Sequence, residues 1–182
     1  MKNSLCILAF TAVLSMSSAQ ASTIFATNLV GSNEVPPTGS TATGTALVTL
    51  ENDNITLDVV ITFSGLTGGT ASAAHIHCCV PPGQNAPVVL PFTNFPAATS
   101  GTYNNSFNLT QTGVLSGITP AALIAGLESG QAYVNIHDST YPGGEIRGFL
   151  TAVPEPSSLA LLGLSLMCLG AGRKWLRSTP RS

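Results

Sequence analysis

Charged side chains are scarce in this chain of 182 residues, and basic ones are nearly absent from its middle. Only 8% of the residues are Asp, Glu, Lys or Arg, and between the two ends the single base is Arg147. Seven acidic residues accompany it and give this stretch a net charge of −6: Glu34, Glu51, Asp53, Asp58, Glu128, Asp138 and Glu145. This stretch lacks the cluster of basic residues with which proteins bind nucleic acid, so we expect no nucleic-acid partner.

Cysteine is also rare. Of four cysteines, Cys6 and Cys168 lie near the ends, and only the neighbours Cys78 and Cys79 remain in the middle. Adjacent cysteines close almost no loop, so they cannot join distant segments and no disulfide framework exists. Three interpretations of the pair stay open: reduced packing residues, a vicinal disulfide, or one soft metal ligand from Cys78.

Residues 1–21 have the three parts of a secretory signal peptide. Lys2 supplies the positive start and Leu5–Leu14 the apolar core. The small residues Ala19 and Ala21 form the cleavage site, so the sequence predicts export and a mature start at Ser22.

Residues 154–182 form a second terminal segment. Its Pro154-Glu155-Pro156 triplet is incompatible with a helix interior or a central strand. The apolar run Leu159–Ala171 has 13 residues, fewer than the roughly 20 that span a bilayer comfortably. A basic cluster follows the run directly and favours a short transmembrane stop-transfer helix with its positive end in the cytoplasm: Arg173, Lys174 and Arg177.

The remaining stretch, 22–153, is long enough for one compact domain and has a β pattern. Leu57, Val59, Ile61 and Phe63 alternate with more polar neighbours, and we expect Ile55 to extend this buried set. About eight short strands separated by turn residues predict an all-β fold, a single antiparallel β-sandwich or barrel, with the signal helix and the hydrophobic tail helix outside it. The predicted strands are 24–30, 46–50, 55–63, 73–79, 88–92, 106–110, 131–137 and 145–151.

One segment, 119–128, departs from this pattern. Thr119 can cap a short helix and Pro120 suits its first position. The helix would turn three apolar side chains toward the core: Leu123, Ile124 and Leu127.

The histidines carry the chemistry that the sequence offers. His75 and His77 share one face of a predicted strand, an arrangement that presents two imidazoles to a metal. In the second cluster His137 ends a strand and a loop returns the chain through Glu145 and Arg147. If Ile136 and Ile146 are both buried, the polar residues between and beside them share the opposite face.

Two interpretations of these clusters stay open. Three imidazoles with Glu145, and Cys78 as a further ligand, would suit zinc or copper. Alternatively the histidines, Asn135, Glu145 and Arg147 form a hydrogen-bonded network, with Glu145 paired to Arg147. The sequence has no Ser/His/Asp spacing, nucleotide-binding loop or paired-carboxylate motif, so we predict a protein that is not an enzyme.

The tail resembles the PEP-CTERM sorting tails of Gram-negative bacteria, which combine a Pro-Glu-Pro signature, a short hydrophobic helix and a terminal basic cluster. The resemblance implies an exosortase-type membrane protease and the secretion machinery as partners. It also implies a precursor anchored in the inner membrane, whose body then reaches the cell surface, the outer envelope or the extracellular exopolysaccharide layer.

The body resembles the CHRD domain, first described in chordin and common in exported bacterial proteins. The resemblance implies an all-β fold, immunoglobulin-like or superoxide-dismutase-like, and no established reaction. A fainter similarity to copper/zinc superoxide dismutases is confined to the three histidines, one imidazole short of that copper site. The matching pieces are Gly31–Pro37, Thr43–Ala46, Ser64–Leu66, Ala74–His77, Tyr133–His137 and Gly144–Gly148.

We therefore expect a non-enzymatic binding or structural module of the bacterial envelope or matrix. Its expected partner is a matrix polysaccharide or a surface protein. The alternative is a metal-binding or redox protein that uses His75, His77 and His137.

Overall fold

A computed structural model describes residues 21–154 and Gly163. The predicted signal segment with Ala19, and the tail residues Glu155, Pro156, Arg173, Lys174 and Arg177, lie outside the described residues. Ala21 is exposed and precedes the first strand. Within the described part of the chain, no helix is long and apolar enough to cross a bilayer.

The fold is all-β, as predicted, with eight strands in one continuous antiparallel sheet that curls into a half-barrel. The order across the sheet is β5-β4-β7-β8-β1-β2-β3-β6, and a short ninth strand pairs with β1. The strands are β1 (Thr23–Val30), β2 (Thr43–Leu50), β3 (Thr56–Ser64), β4 (Ala73–His77), β5 (Val88–Pro91), β6 (Gly101–Asn108), β7 (Tyr133–His137), β8 (Ile146–Phe149) and β9 (Thr151–Ala152). A 3-10 turn (Gly31–Asn33) follows β1, and helix α1 (Pro120–Glu128) precedes β7.

The core lies on the concave side of the sheet, where alternate side chains of each strand point inward. Leu57, Val59, Ile61 and Phe63 of β3 are all buried, as their alternation predicts. Aromatic rings bring the two edge strands together, because Phe92, just after β5, packs against Tyr103 and Phe107 of β6 with ring centroids 5.3 and 5.9 Å away.

Helix α1 confirms the expected capping chemistry. The hydroxyl of Thr119 accepts a hydrogen bond from the Ala122 amide, and Pro120 occupies the first turn. Leu123 and Leu127 are fully buried, whereas Ile124 is only partly covered.

Two predictions about the strands are wrong. Ile55 is 37% exposed because it lies in the β2–β3 turn, where the Asp53 carboxylate accepts hydrogen bonds from the Ile55 and Thr56 amides. Strand β6 begins at Gly101 rather than Ser106, because its whole length pairs with β3, and it ends at Asn108, whose side chain accepts hydrogen bonds from Thr110.

Candidate metal centre

The polar cluster lies on strands β4, β7 and β8, which are neighbours in the sheet. Antiparallel pairing sets His75 opposite Asn135 and His77 opposite Tyr133. In the next ladder Asn135 pairs with Arg147 and Ile136 with Ile146. Both isoleucines are buried, as the sequence interpretation supposed. Because partners in a ladder share a face, the three histidines, Tyr133 and Asn135 project to the same side.

The three imidazoles converge. The His75 Nδ1 and His137 Nε2 atoms are 3.1 Å apart. Ring centroids are separated by 5.6 Å for His75 and His77, and by 6.0 Å for His77 and His137. One ligand atom from each ring lies within 4.8 Å of the other two. Two ligands with bond lengths of about 2 Å lie at most about 4 Å apart, so a single ion would contact all three after a small inward adjustment of the rings.

Backbone carbonyls orient two of the rings. His77 Nδ1 is 2.8 Å from the Ala86 carbonyl oxygen, and His137 Nδ1 is 3.0 Å from that of Pro142. A carbonyl can only accept, so both Nδ1 atoms carry the proton and both Nε2 atoms keep a lone pair. His77 Nε2 is buried and has no hydrogen-bond partner among the described residues. Ligating histidines typically show this arrangement.

All three imidazoles are held in the neutral form that binds a metal. Burial, followed by repulsion from His137 and His77, lowers the pKa of His75 to about 4. Burial also lowers the pKa values of His77 and His137, and their hydrogen bonds to backbone carbonyls only partly oppose it.

Tyr133 supports His77 from the neighbouring strand. The two rings are stacked, with centroids 4.7 Å apart and an interplanar angle of 1°. The Tyr133 hydroxyl accepts a hydrogen bond of 3.1 Å from the Ala86 amide. Tyr133 thereby fixes the residue whose carbonyl accepts the hydrogen bond from His77. The Arg147 guanidinium lies over the Tyr133 ring, 4.8 Å from its centroid.

Arg147 is paired with Glu34 rather than with Glu145. Both residues are buried, and the Arg147 Nε lies 3.5 Å from a Glu34 carboxylate oxygen. The guanidinium also donates to the Asn33 carbonyl at 2.6 Å and to the Asn85 side chain at 2.8 Å. The predicted Glu145–Arg147 pair is therefore wrong, and Glu34 is a network member that the sequence interpretation missed.

Glu145 lies apart from the three histidines. Its carboxylate accepts hydrogen bonds from the Ser40 hydroxyl and from the amide and hydroxyl of Thr67. Burial raises the pKa of Glu145, but hydrogen bonds from Asp138, Ser40 and Thr67 outweigh it and bring the pKa to about 2. Glu145 thus ties β8 to the loops that follow β1 and β3.

Cys78 is likewise outside the cluster. Its sulfur is bonded to that of Cys79, and both sulfurs lie against Gly126 of α1, where a methyl group would overlap them. Among the described residues the set that can share an ion consists of His75, His77 and His137. Of the predicted ligands, the structure brings these three together and places Glu145 and Cys78 elsewhere.

Most of the contacts that orient the histidines could not be predicted from the sequence. The Ala86 and Pro142 carbonyls are backbone atoms, which carry no residue-type signal. Tyr133 alternates with Asn135 and His137 and so lies on their face of β7, but its contact with His77 depends on the β4–β7 register.

Comparison with protein families gives two matches. A model described as the CHRD domain matches residues 25–150. A model described as the PEP-CTERM protein-sorting motif matches residues 152–174. The search of curated proteins and the search of solved structures gave no match.

Proposed function

The chain belongs to the CHRD domain family, and we propose that its domain binds one divalent ion, zinc or copper, through His75, His77 and His137. The observation that carries the proposal is the convergence of three neutral imidazoles whose ligand atoms lie within 4.8 Å of one another. Two of these rings are already oriented by backbone carbonyls, which hold the proton on Nδ1 and leave the lone pair on Nε2.

The donor set suits these metals. Zinc binds imidazole nitrogen, and three histidines with one open position are a recurring zinc environment. Imidazole also suits copper. The buried Nε2 of His77 has no hydrogen-bond partner among the described residues, which leaves a lone pair for a metal.

The metal would serve a module of the bacterial envelope. The sorting motif is associated with exosortase processing and implies an exported precursor that passes through the membrane. CHRD domains are not a known enzyme family, and we propose a non-enzymatic binding role. The final location would be the cell surface or the extracellular matrix, where a polysaccharide or a surface protein would be the partner.

Elemental analysis tests the metal site. We expect the full exported protein, purified without a tag, exposed to zinc or copper and then desalted, to retain about one equivalent of metal. His77→Ala should lose it, whereas Glu128→Gln, which removes an exposed acidic group on α1, should retain it. Metal well below one equivalent in the wild type, or unchanged in a folded His77→Ala variant, would contradict the proposal.

A further inference from the structure

The surface of the described domain offers anions no basic side chain. Arg147 is the only Lys or Arg between residues 21 and 154, and it is fully buried. Its guanidinium is already engaged by Glu34, Asn33 and Asn85. An ion held by the three histidines would therefore be the only strong positive centre that this part of the chain presents to an anion.

That ion would have an incomplete shell. No fourth His, Cys, Asp or Glu side chain in the described ranges joins the three histidines. The two nearest sequence candidates, Glu145 and Cys78, are held by other partners. Tetrahedral zinc takes four ligands, so the fourth must come from outside these side chains.

The cluster has an open side. His77 and His137 are buried, at 7% and 8% exposure, whereas His75 is only partly covered. His75 is the ring of the cluster that reaches solvent, so a ligand from outside the chain would approach the open coordination position from its side.

We propose that this position takes a carboxylate from a molecule outside the chain, so that the metal centre is a receptor for an acidic ligand. The inference rests on the proposed metal site. Three neutral imidazoles leave the full +2 charge on the ion, and a carboxylate oxygen is one of the ligand types that zinc accepts at about 2.0–2.2 Å. A monoanion cancels half of that charge.

The charge of the domain favours an isolated carboxylate over a dense polyanion. Seven acidic residues and one basic residue give the domain a net charge of −6. At ordinary salt, charges more than about 8–10 Å apart are largely screened, so the repulsion acts on a chain of closely spaced carboxylates where it lies along the acidic surface. A small acid, or one uronate in an otherwise neutral saccharide, avoids that repulsion.

Cobalt(II) provides the test, because it replaces zinc in such sites and its visible absorption responds to a change of ligand. The full protein is loaded with cobalt, its metal content is measured, and acetate, galacturonate, polygalacturonate or neutral galactose is added at constant ionic strength. We expect saturable spectral changes with acetate and galacturonate and none with galactose. Per carboxylate, polygalacturonate should bind more weakly than galacturonate.

The outcomes distinguish failure of the carboxylate receptor from failure of the metal site. Cobalt bound at one equivalent, with a spectrum that no carboxylate changes, would overturn the receptor while leaving the metal site intact. A protein that retains no cobalt and, in the elemental analysis above, no zinc or copper would overturn the metal site and the receptor together. An equal response to galactose and galacturonate would show that the site does not recognise the carboxylate, and would also overturn the receptor.

Discussion

At the scale of single residues, the three histidines differ in what holds them. His77 and His137 each donate through Nδ1 to a backbone carbonyl, whereas His75 Nδ1 faces His137 Nε2. Alternation predicted that His75 and His77 share a face, whereas the approach of His137 depends on the pairing of β4 with β7. The sequence could not indicate which ring nitrogen is free, because the fixing groups are carbonyls of Ala86 and Pro142 in loops whose path depends on the whole sheet.

The Glu34–Arg147 pair illustrates competition between burial and charge attraction. Arg147 lies close enough to favour the ionised carboxylate, but removing Glu34 from water costs more. Burial raises the pKa of Glu34 to about 7, against the opposing effects of Arg147 and the Val35 amide. Near neutral pH this carboxyl is therefore close to its point of half-protonation.

This raised pKa predicts a pH-dependent stability. A carboxyl with a pKa near 4.5 when unfolded and about 7 when folded binds more protons in the folded state between those values. Its contribution is complete below pH of about 4.5 and is lost as the pH rises through about 7. As the pH rises across this range, the titration of Glu34 should lower the free energy of unfolding of the wild type by up to about 3 kcal/mol.

Glu34→Gln removes that titration while keeping the side-chain size. Its free energy of unfolding, measured in denaturant, should match the wild type near pH 4 and exceed it near pH 8. The histidines titrate in both proteins, so their effect cancels in the difference. A variant that is less stable than the wild type at pH 8, and equal to it at pH 4, would show that the attraction to Arg147 dominates.

At the scale of elements, the hairpin β7–β8 does most to build the cluster. Its connecting loop supplies the Pro142 carbonyl to His137 and the Gly143 carbonyl to the Asn135 amide, at 3.0 and 3.3 Å. Gly144 has a φ of +126°, and a Cβ at this position would overlap the Asn135 side chain. The loop can therefore contact both strands only if residue 144 is glycine.

Neighbouring glycines in this loop give a matched pair of substitutions. Gly144→Ala combines a disfavoured backbone with an overlap at Asn135, and we expect it to cost about 2 kcal/mol or more of unfolding free energy. Because it displaces the loop that orients His137, zinc affinity should fall about 10- to 100-fold. Gly143→Ala faces open space and should change stability by less than about 0.5 kcal/mol. Equal effects of the two variants on zinc affinity, measured by competition with a chelator, would contradict this role.

Sequence patterns predicted the elements that have strong local signals. They missed elements that form because a neighbouring strand pairs with them. Strand β3 and the capped helix α1 were found because alternation and Thr119-Pro120 are local signals. Strand β6 contains four Asn and Ser residues, which have little tendency to form strands, and it is a strand because β3 pairs with it over eight positions. Ile55 was misplaced because the Asp53 turn interrupts the alternation.

At the scale of the whole molecule, the two family matches fall on separate parts of the chain. The CHRD match ends at residue 150 and the sorting motif begins at 152. At this junction β9 pairs with β1, and the Val153 amide donates to the Ile24 carbonyl at 2.8 Å. The sheet therefore holds the chain up to the point where the Pro-Glu-Pro signature starts.

Replacing Pro154, Glu155 and Pro156 by alanine should block sorting without unfolding the domain. The motif is associated with exosortase processing, and the triplet directly follows Val153, whose amide bonds to β1. We expect the variant to accumulate in the inner membrane as a precursor of higher mass, as measured by cell fractionation and mass spectrometry. A control that changes Ser157 and Ser158 to alanine keeps the triplet and should be processed normally. Release of the triplet variant at the wild-type mass and level would contradict sorting through this tail, whatever the outcome for the metal site.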